Sequence, residues 1–378
     1  MHDTLAFLKD LVAIDSVNPS LVPGAAGELA VAERIAAEMR LCGLDVQTTE
    51  VAPGRPNVIG ILEGRGPGSS LLLCGHMDTV SVAGMTKPFD PIERDGRLYG
   101  RGAQDMKGGV AAMLGAAAAI ADAGGVASGR LIVAAVVDEE YSSIGAEALI
   151  QDWKTNAAVV TEPTDLSVAI GHKGFAWVTV KTRGCAAHGS RPQEGRDAII
   201  RMGRVLNRLE ALDHELQAGP AHSLLGTPSL HASTIGGGHE LSVYPSRCTL
   251  DLERRTLVGE PDGVALKEVQ DIIEQLRLED PEFDATAESR LERPPYEVAA
   301  DHPLPSALLS ILRTAGRPTR VTGMSFWTDA AILARAGIPS ILFGPSGRGL
   351  HSAEEYVELE SVLVCRNMLA ELARVFCV

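Results

Sequence analysis

The sequence predicts an α/β protein: a mostly parallel sheet with helices on both faces, interrupted by an inserted α+β domain of ferredoxin-like type. Three observations carry this. Short apolar runs alternate with helical patterns toward both ends of the chain, polar clusters follow those runs directly, and the middle of the chain changes to a β-α-β-β-α-β order. With 378 residues the chain is too long for one ordinary core and long enough for about two domains.

The opening stretch from Met1 to Val17 sets acids and a lysine among apolar positions, which suits an amphipathic helix rather than a leader. A second helical pattern falls near 26–42. LLLC (71–74), LIVAAVV (131–137), AAVV (157–160) and SILF (340–343) then read as buried strands. Strands of a parallel sheet are covered on both faces and so lose in-out alternation. Helices are expected over 109–122, which is alanine-rich, and over 360–376.

The middle reads differently. FAWVTVKT (175–182) is a strand, and the stretch from Asp197 to Leu212 carries Ile199, Met202, Leu206 and Leu209 at helical spacing. LHASTI (230–235) and RCTLDLE (247–253) are two more strands, followed by a helix with Val264, Val269, Ile272, Ile273 and Leu276, then an extended FDATAES (283–289). The insert is placed at 174–290, leaving 1–173 and 291–378 as the outer domain, with the proline-rich stretch 293–305 as the return crossing.

Composition narrows the function. Hydrophobic residues at 45% and charged residues at 22% suit a globular protein. A net charge of −15 without a basic patch argues against a nucleic-acid partner, and two bound divalent ions would leave it acidic. No apolar run is long enough to span a membrane, so a cytoplasmic protein acting on a small molecule is expected. The six cysteines (Cys42, Cys74, Cys185, Cys248, Cys365 and Cys377) form no CxxC pair and read as reduced thiols.

Four polar clusters sit just after buried strands: Gly75-His76-Met77-Asp78, Asp138-Glu139-Glu140, Thr161-Glu162-Pro163, and Gly344-Pro345 with Gly349-Leu350-His351-Ser352. Ligands of open α/β sheets bind outside the carboxyl ends of strands, so these clusters should meet in one crevice. A fifth element, Arg101 to Gly109, opens the alanine-rich helix. Two histidines and several carboxylates, without cysteine, suit zinc, or cobalt or manganese. If Asp105 bridges, one ion has His76, Asp105 and Glu162, and the other has Asp105, Glu140 and His351. Each keeps an open position for water, the mark of a catalytic site. Asp78, two residues beyond His76 and on the same face in extended chain, is placed to accept a hydrogen bond from the imidazole. Neighbouring side chains of extended chain point oppositely, so Glu140 is read as ligand and Glu139 as general base. Taken singly, His76 reads as a loop histidine, Asp138-Glu139-Glu140 as a solvated turn and Asp105 as a helix cap. Their shared placement at strand ends decides for the metal reading.

The motifs GHMDTV (75–80), GRGAQDMKGG (100–109), DEE (138–140), TEPT (161–164) and HSAEEYV (351–357) resemble the acetylornithine deacetylase / succinyl-diaminopimelate desuccinylase / aminoacylase / carboxypeptidase family of co-catalytic zinc hydrolases. The resemblance spans essentially the whole chain, the insert included. It implies a zinc-peptidase-like catalytic domain with the same five ligands, Asp105 bridging, Glu139 as base, Asp78 as support, and a cis peptide between Asp105 and Met106. It also implies that the insert is a lid and makes a homodimer. His188, in Gly184 to Pro192, would then reach a neighbouring active site and stabilise the oxyanion. Arg255, counted back from Gly259, would bind a substrate carboxylate. The chain departs from the family pattern at Ser242, where a substrate-binding asparagine is common, and at Val258, where a proline is usual. Trp327, in the family's substrate-pocket segment, reads equally as pocket wall or core. The implied activity is hydrolysis of an N-acyl amino acid, as by acetylornithine deacetylases. The alternatives are a carboxypeptidase or dipeptidase and, outside enzymes, a non-catalytic metal-binding scaffold.

Overall fold

Four strands with almost no exposed positions form the middle of the larger sheet: Arg130–Val136, Ser70–His76, Ala157–Val160 and Ser340–Leu342. In the computed structural model, which describes residues 2–82 and 84–378, they lie side by side in that order and run parallel. Met1, the first residue of the predicted opening helix, lies outside the described residues. Antiparallel strands flank the parallel centre. Arg55–Glu63 pairs with Arg130–Val136, and Asp45–Ala52 makes a hairpin with it at the edge. On the other side Leu342 pairs with Ala169 of the strand Val168–His172.

Helices Thr4–Ala13, Gly108–Asp122, Pro303–Thr314 and Leu359–Phe376 pack as one group, while Leu29–Leu41 packs on the strands Asp45–Ala52 and Arg55–Glu63, and Ile144–Asp152 and Ala330–Arg335 pack on each other and on the sheet. Asp3 starts the first helix by accepting from the amides of Leu5 and Ala6, both at 3.1 Å. The alanine-rich helix lies almost wholly buried because its small side chains let it come close to the sheet. At Gly109 the approach is closest: a Cβ there would stand 2.0 Å from the Thr161 carbonyl oxygen.

A second, small antiparallel sheet brings together Ile92–Arg94, Arg97–Tyr99, Tyr356–Glu358 and Gly347–Arg348. Its pairing of Tyr99 with Tyr356 sets the loop after residue 99 beside the loop before residue 356.

The chain divides into two compact units. The first is Met1–Ile170, Val298–Thr322 and Thr328–Val378; the second is Gly171–Glu297 with Gly323–Trp327. The expected insert was 174–290, so its boundary is corrected at both ends and a distant segment joins it. The Lys173 amide bonds the Met324 carbonyl at 3.1 Å, and the Trp327 indole donates to the Pro294 carbonyl at 3.1 Å. In the second unit the strands run Ser229–Gly237, Arg247–Thr256, Gly174–Arg183, Asp284–Arg293 across an all-antiparallel sheet, with helices Ala198–Ala218 and Val264–Glu279 packed on it. This is the ferredoxin-like order read from the sequence. Its core includes Val178, Val180, Met202, Val205, Leu250, Leu252, Val269 and Ile273.

All six cysteines are free, and four of them are buried. Among the described residues no helix is long and apolar enough to cross a membrane.

Candidate active site

His76 ends its strand inside the first unit, 1% exposed. Its Nδ1 lies 3.0 Å from the main-chain carbonyl of Asp78. A carbonyl only accepts, so Nδ1 carries a proton, and when the ring is neutral its lone pair lies on Nε2. Nε2 faces Asp105 Oδ1 at 3.2 Å, with Glu139 Oε2 and Glu162 Oε1 each at 3.8 Å. The other oxygen of Asp105, Oδ2, faces His351 Nε2 at 3.2 Å, and Glu140 Oε2 faces the same nitrogen at 3.1 Å. One carboxylate thus turns an oxygen toward each of two imidazoles, with a glutamate behind each. The adjacent Glu139 and Glu140 go to different imidazoles. The Asp105–Met106 peptide is cis.

The electrostatics of this cluster call for a cation. Burial pushes the carboxyls of Glu139 and Glu162 well above the usual range, and neighbouring carboxylates, Asp329 among them, push in the same direction. Glu140 is raised to about 7 by burial and by Asp105. Burial would raise Asp105 as well, yet its bonds to His351 and His76 hold it below its ordinary value. His351 is raised to about 10 by Asp105 and Glu140. Glu140 Oε1 is buried with no hydrogen-bond partner among the described residues. Ligand atoms of His76, Asp105 and Glu140 lie within 4.8 Å of one another, as do those of His76, Glu139 and Glu162. An orphaned carboxylate oxygen, crowded acids and imidazole nitrogens are the groups that divalent ions coordinate, so the donor set fits metal.

Asp78 corrects an expectation. Its carboxylate is 3.7 Å from His76 Nδ1, while its main-chain carbonyl makes the closer contact. The carboxylate instead accepts from the amides of Glu139 and Glu140, both at 3.1 Å, and from Asn18 Nδ2 at 2.8 Å. It supports the two glutamates through their backbone rather than the imidazole through its ring.

Behind these groups lie residues to which the sequence assigned no task. Asp138 accepts from Asn18 at 3.1 Å and Ser142 Oγ at 2.6 Å, and pairs with Arg55 at 2.8 Å. Arg55 also forks onto Glu28 at 2.5 and 2.8 Å, all three charges being buried. Arg101 pairs with Glu355 at 2.6 Å, again with both buried. Lys107, 1% exposed, donates to the Ile14 carbonyl at 2.8 Å, and burial pushes its pKa down to about 7. For Arg101, Lys107 and Glu355 a signal existed, since each sits inside a motif without an assigned task.

The remaining expected residues belong to the second unit. His188 is exposed, with Nδ1 2.8 Å from Ser190 Oγ. Ser242 is exposed, and its carbonyl accepts from the Gly189 amide at 2.7 Å. Arg255 donates to Glu253 at 2.7 Å and lies over the Phe175 ring at 5.4 Å. Its neighbour Arg254 is fully buried between Glu260 and Glu268. Trp327 is 7% exposed and edge-on to His172 and Phe175, a packed position within this unit.

Comparison with known proteins gives the family. The family described as Peptidase family M20/M25/M40 matches residues 72–375. The chain is 31% identical to the acetylornithine deacetylase of Myxococcus xanthus, over 100% of this chain and 99% of that one. It is 28% identical to the N-formyl-4-amino-5-aminomethyl-2-methylpyrimidine deformylase of Bacillus subtilis, over 91% and 88%. A tripeptidase of Staphylococcus aureus superposes with a TM-score of 0.81 at 21% identity, over 99% and 98%, a likeness of fold.

Proposed function

The chain belongs to peptidase family M20/M25/M40 and is a hydrolase, and from that premise we propose that it hydrolyses the amide of an N-acyl amino acid, as an acetylornithine deacetylase does. The observation that carries the reading is the Asp105 carboxylate with one oxygen toward His76 and the other toward His351. We assign two divalent ions to this site, zinc with cobalt or manganese as substitutes: one to His76, Asp105 and Glu162, the other to Asp105, Glu140 and His351. Such a pair polarises a carbonyl and lowers the pKa of water toward about 7.

The chain's own residues supply the rest. Glu139 takes the proton of the attacking water and passes it to the leaving nitrogen. Asp78 holds the amides of Glu139 and Glu140 and so keeps base and ligand apart. The family resemblance supports His188 of a second subunit as donor to the oxyanion, hence a homodimer through the inserted unit. With Nδ1 engaged by Ser190, Nε2 is the nitrogen for that contact. Arg255, with Ser242 nearby in the family pattern, takes the substrate carboxylate. Unpaired thiols fit a reducing compartment, and we place the enzyme in the cytoplasm.

A hydrolysis panel tests this: N-acyl amino acids, including α-N-acetylornithine, against dipeptides, with zinc, cobalt or manganese supplied to metal-free protein. Acetate release from the acetylated amino acid is expected, and Glu139→Gln should lower kcat by about 10²–10⁴-fold while still binding ions. Cleavage of dipeptides alone would replace the deacylase reading by a dipeptidase or carboxypeptidase. Full turnover by Glu139→Gln would remove the assigned base.

A further inference from the structure

Asp105 and His351 come from distant parts of the chain, and their loops meet through one buried carboxylate. Glu355 Oε1 accepts from the amides of Gln104 at 2.9 Å and Asp105 at 3.1 Å. Its Oε2 accepts from Arg101 Nη1 at 2.6 Å and the Gly102 amide at 3.1 Å. Four donors use the roughly four lone-pair positions of a carboxylate. Arg101 spends its other nitrogens on carbonyls: Nη2 on Ser352, next to His351, and Nε on Ser81, beyond Asp78. A single ion pair therefore ties together the loops that follow His76, precede Asp105 and follow His351.

A buried ion pair is poor value as a stabiliser, since apolar residues of the same size often serve a core as well. What this pair supplies is direction, because each carboxylate oxygen, and each guanidinium nitrogen not spent on the pair itself, has its own main-chain partner. Resting on the two-ion reading given above, we propose that Glu355, with Arg101, is a positioning residue. Its carboxylate draws the Asp105 amide inward and holds the Asp105 side chain between His76 and His351, so that it can bridge two ions.

Metal-free protein is titrated with cobalt(II), followed by calorimetry and by the visible spectrum of the bound ion, with circular dichroism reporting folding. In Glu355→Gln the amide NH2 replaces one acceptor oxygen and turns donors against two donors. The second cobalt ion should then bind about 10–100-fold more weakly, with a changed spectrum and a comparable fall in kcat at little-changed KM. Leu8→Ala, a core truncation in the N-terminal helix, serves as a comparator: it should melt earlier and still bind both ions as the wild type does. If Glu355→Gln behaves like Leu8→Ala, losing thermal stability but binding two cobalt ions with wild-type affinity and spectrum, the positioning role is overturned. Should Glu355→Gln not fold, Arg101→Lys carries the test, because lysine keeps the charge but lacks the fork that reaches the Ser81 and Ser352 carbonyls. Wild-type affinity and spectrum in that variant overturn the role equally. Failure of the wild type to bind cobalt would instead sink the two-ion reading itself.

Discussion

The first unit fixes its candidate residues from behind, whereas the second holds its own by contacts with near neighbours. His76, Asp105, Glu139 and Glu140 are backed by Asp78, Asn18 and Asp138, then by Arg55 with Glu28 and Arg101 with Glu355, most of them buried. His188 and Arg255 meet Ser190 and Glu253, each two residues away, Ser242 meets Gly189 of a neighbouring loop, and all three stay exposed or half-exposed. A group that must hold its place before substrate arrives needs support of the first kind. A group whose partner is a substrate or another subunit can be left to find it. Differences between relatives should then gather in the second set.

The deepest support gives the strongest test. Arg55→Met removes one charge from a buried group of three and leaves Glu28 and Asp138 uncompensated. A loss of about 3–5 kcal/mol in urea unfolding is expected, the cost of breaking a buried pair from one side. Activity should fall too in the fraction that remains folded, because Asp138 and Asp78 share the Asn18 amide and Asp78 holds the glutamate backbone. A loss below about 1 kcal/mol, the scale of a surface pair, would erase the contrast between the two regions.

The sequence yields the first set more readily in its ligands than in their support. LLLC, LIVAAVV, AAVV and SILF read as strands because burial on both faces leaves an unbroken apolar run; His76, Glu140 and Glu162 stand at or just past strand ends, whereas Asp105 leads into a helix and His351 lies in a loop further along. The edge strand Asp45–Ala52 is mostly exposed and polar, and the three-residue strands of the small sheet are too short to show any period, so none was legible. Asp78 was placed by the two-residue repeat of extended chain, but the strand stops at His76 and the repeat does not extend past it. Arg55 with Glu28, and Arg101 with Glu355, are contacts between distant positions that no local pattern encodes. In the second unit the alternation of Arg247–Thr256 showed the sheet clearly; that Gly323–Trp327 joins it could not be read from a segment so far along the chain.

His172 offers a weaker handle on the second unit, this time through pH. It is fully buried, its Nδ1 donates to the Lys173 carbonyl, and its Nε2 has no partner among the described residues. Burial pushes its pKa from 6.5 down to about 4. Between those values the unfolded chain binds a proton that the folded one does not, so stability falls as pH drops below 6.5 and the penalty is complete below about 4. The cost near pH 4.5 is about 2–3 kcal/mol. His172→Phe keeps a ring beside Tyr296 and Trp327 and should show a flatter acid limb by that amount in urea titrations at pH 7 and 4.5. Equal acid sensitivity in the variant and the wild type would mean that the unit relaxes enough to hydrate this ring.

The smallest expected effect separates two adjacent arginines. Arg254 is enclosed by Glu260 and Glu268, and a change there should show in folding. Arg255 is 28% exposed, leans on Phe175 and has Glu253 as its carboxylate partner. Glu253 also accepts from the Trp177 indole, so it can stay in place when Arg255 turns to another carboxylate. Arg255→Lys keeps the charge and loses the planar fork. If Arg255 binds the substrate carboxylate, KM for an N-acyl amino acid should rise about tenfold, roughly 1.4 kcal/mol, with kcat little changed and the melting temperature unmoved. The same substrate with its carboxylate converted to an amide should be hydrolysed equally by both proteins. A rise in KM for both substrates would point to altered packing around Phe175, and no rise for either would leave Arg255 as the partner of Glu253 and nothing more.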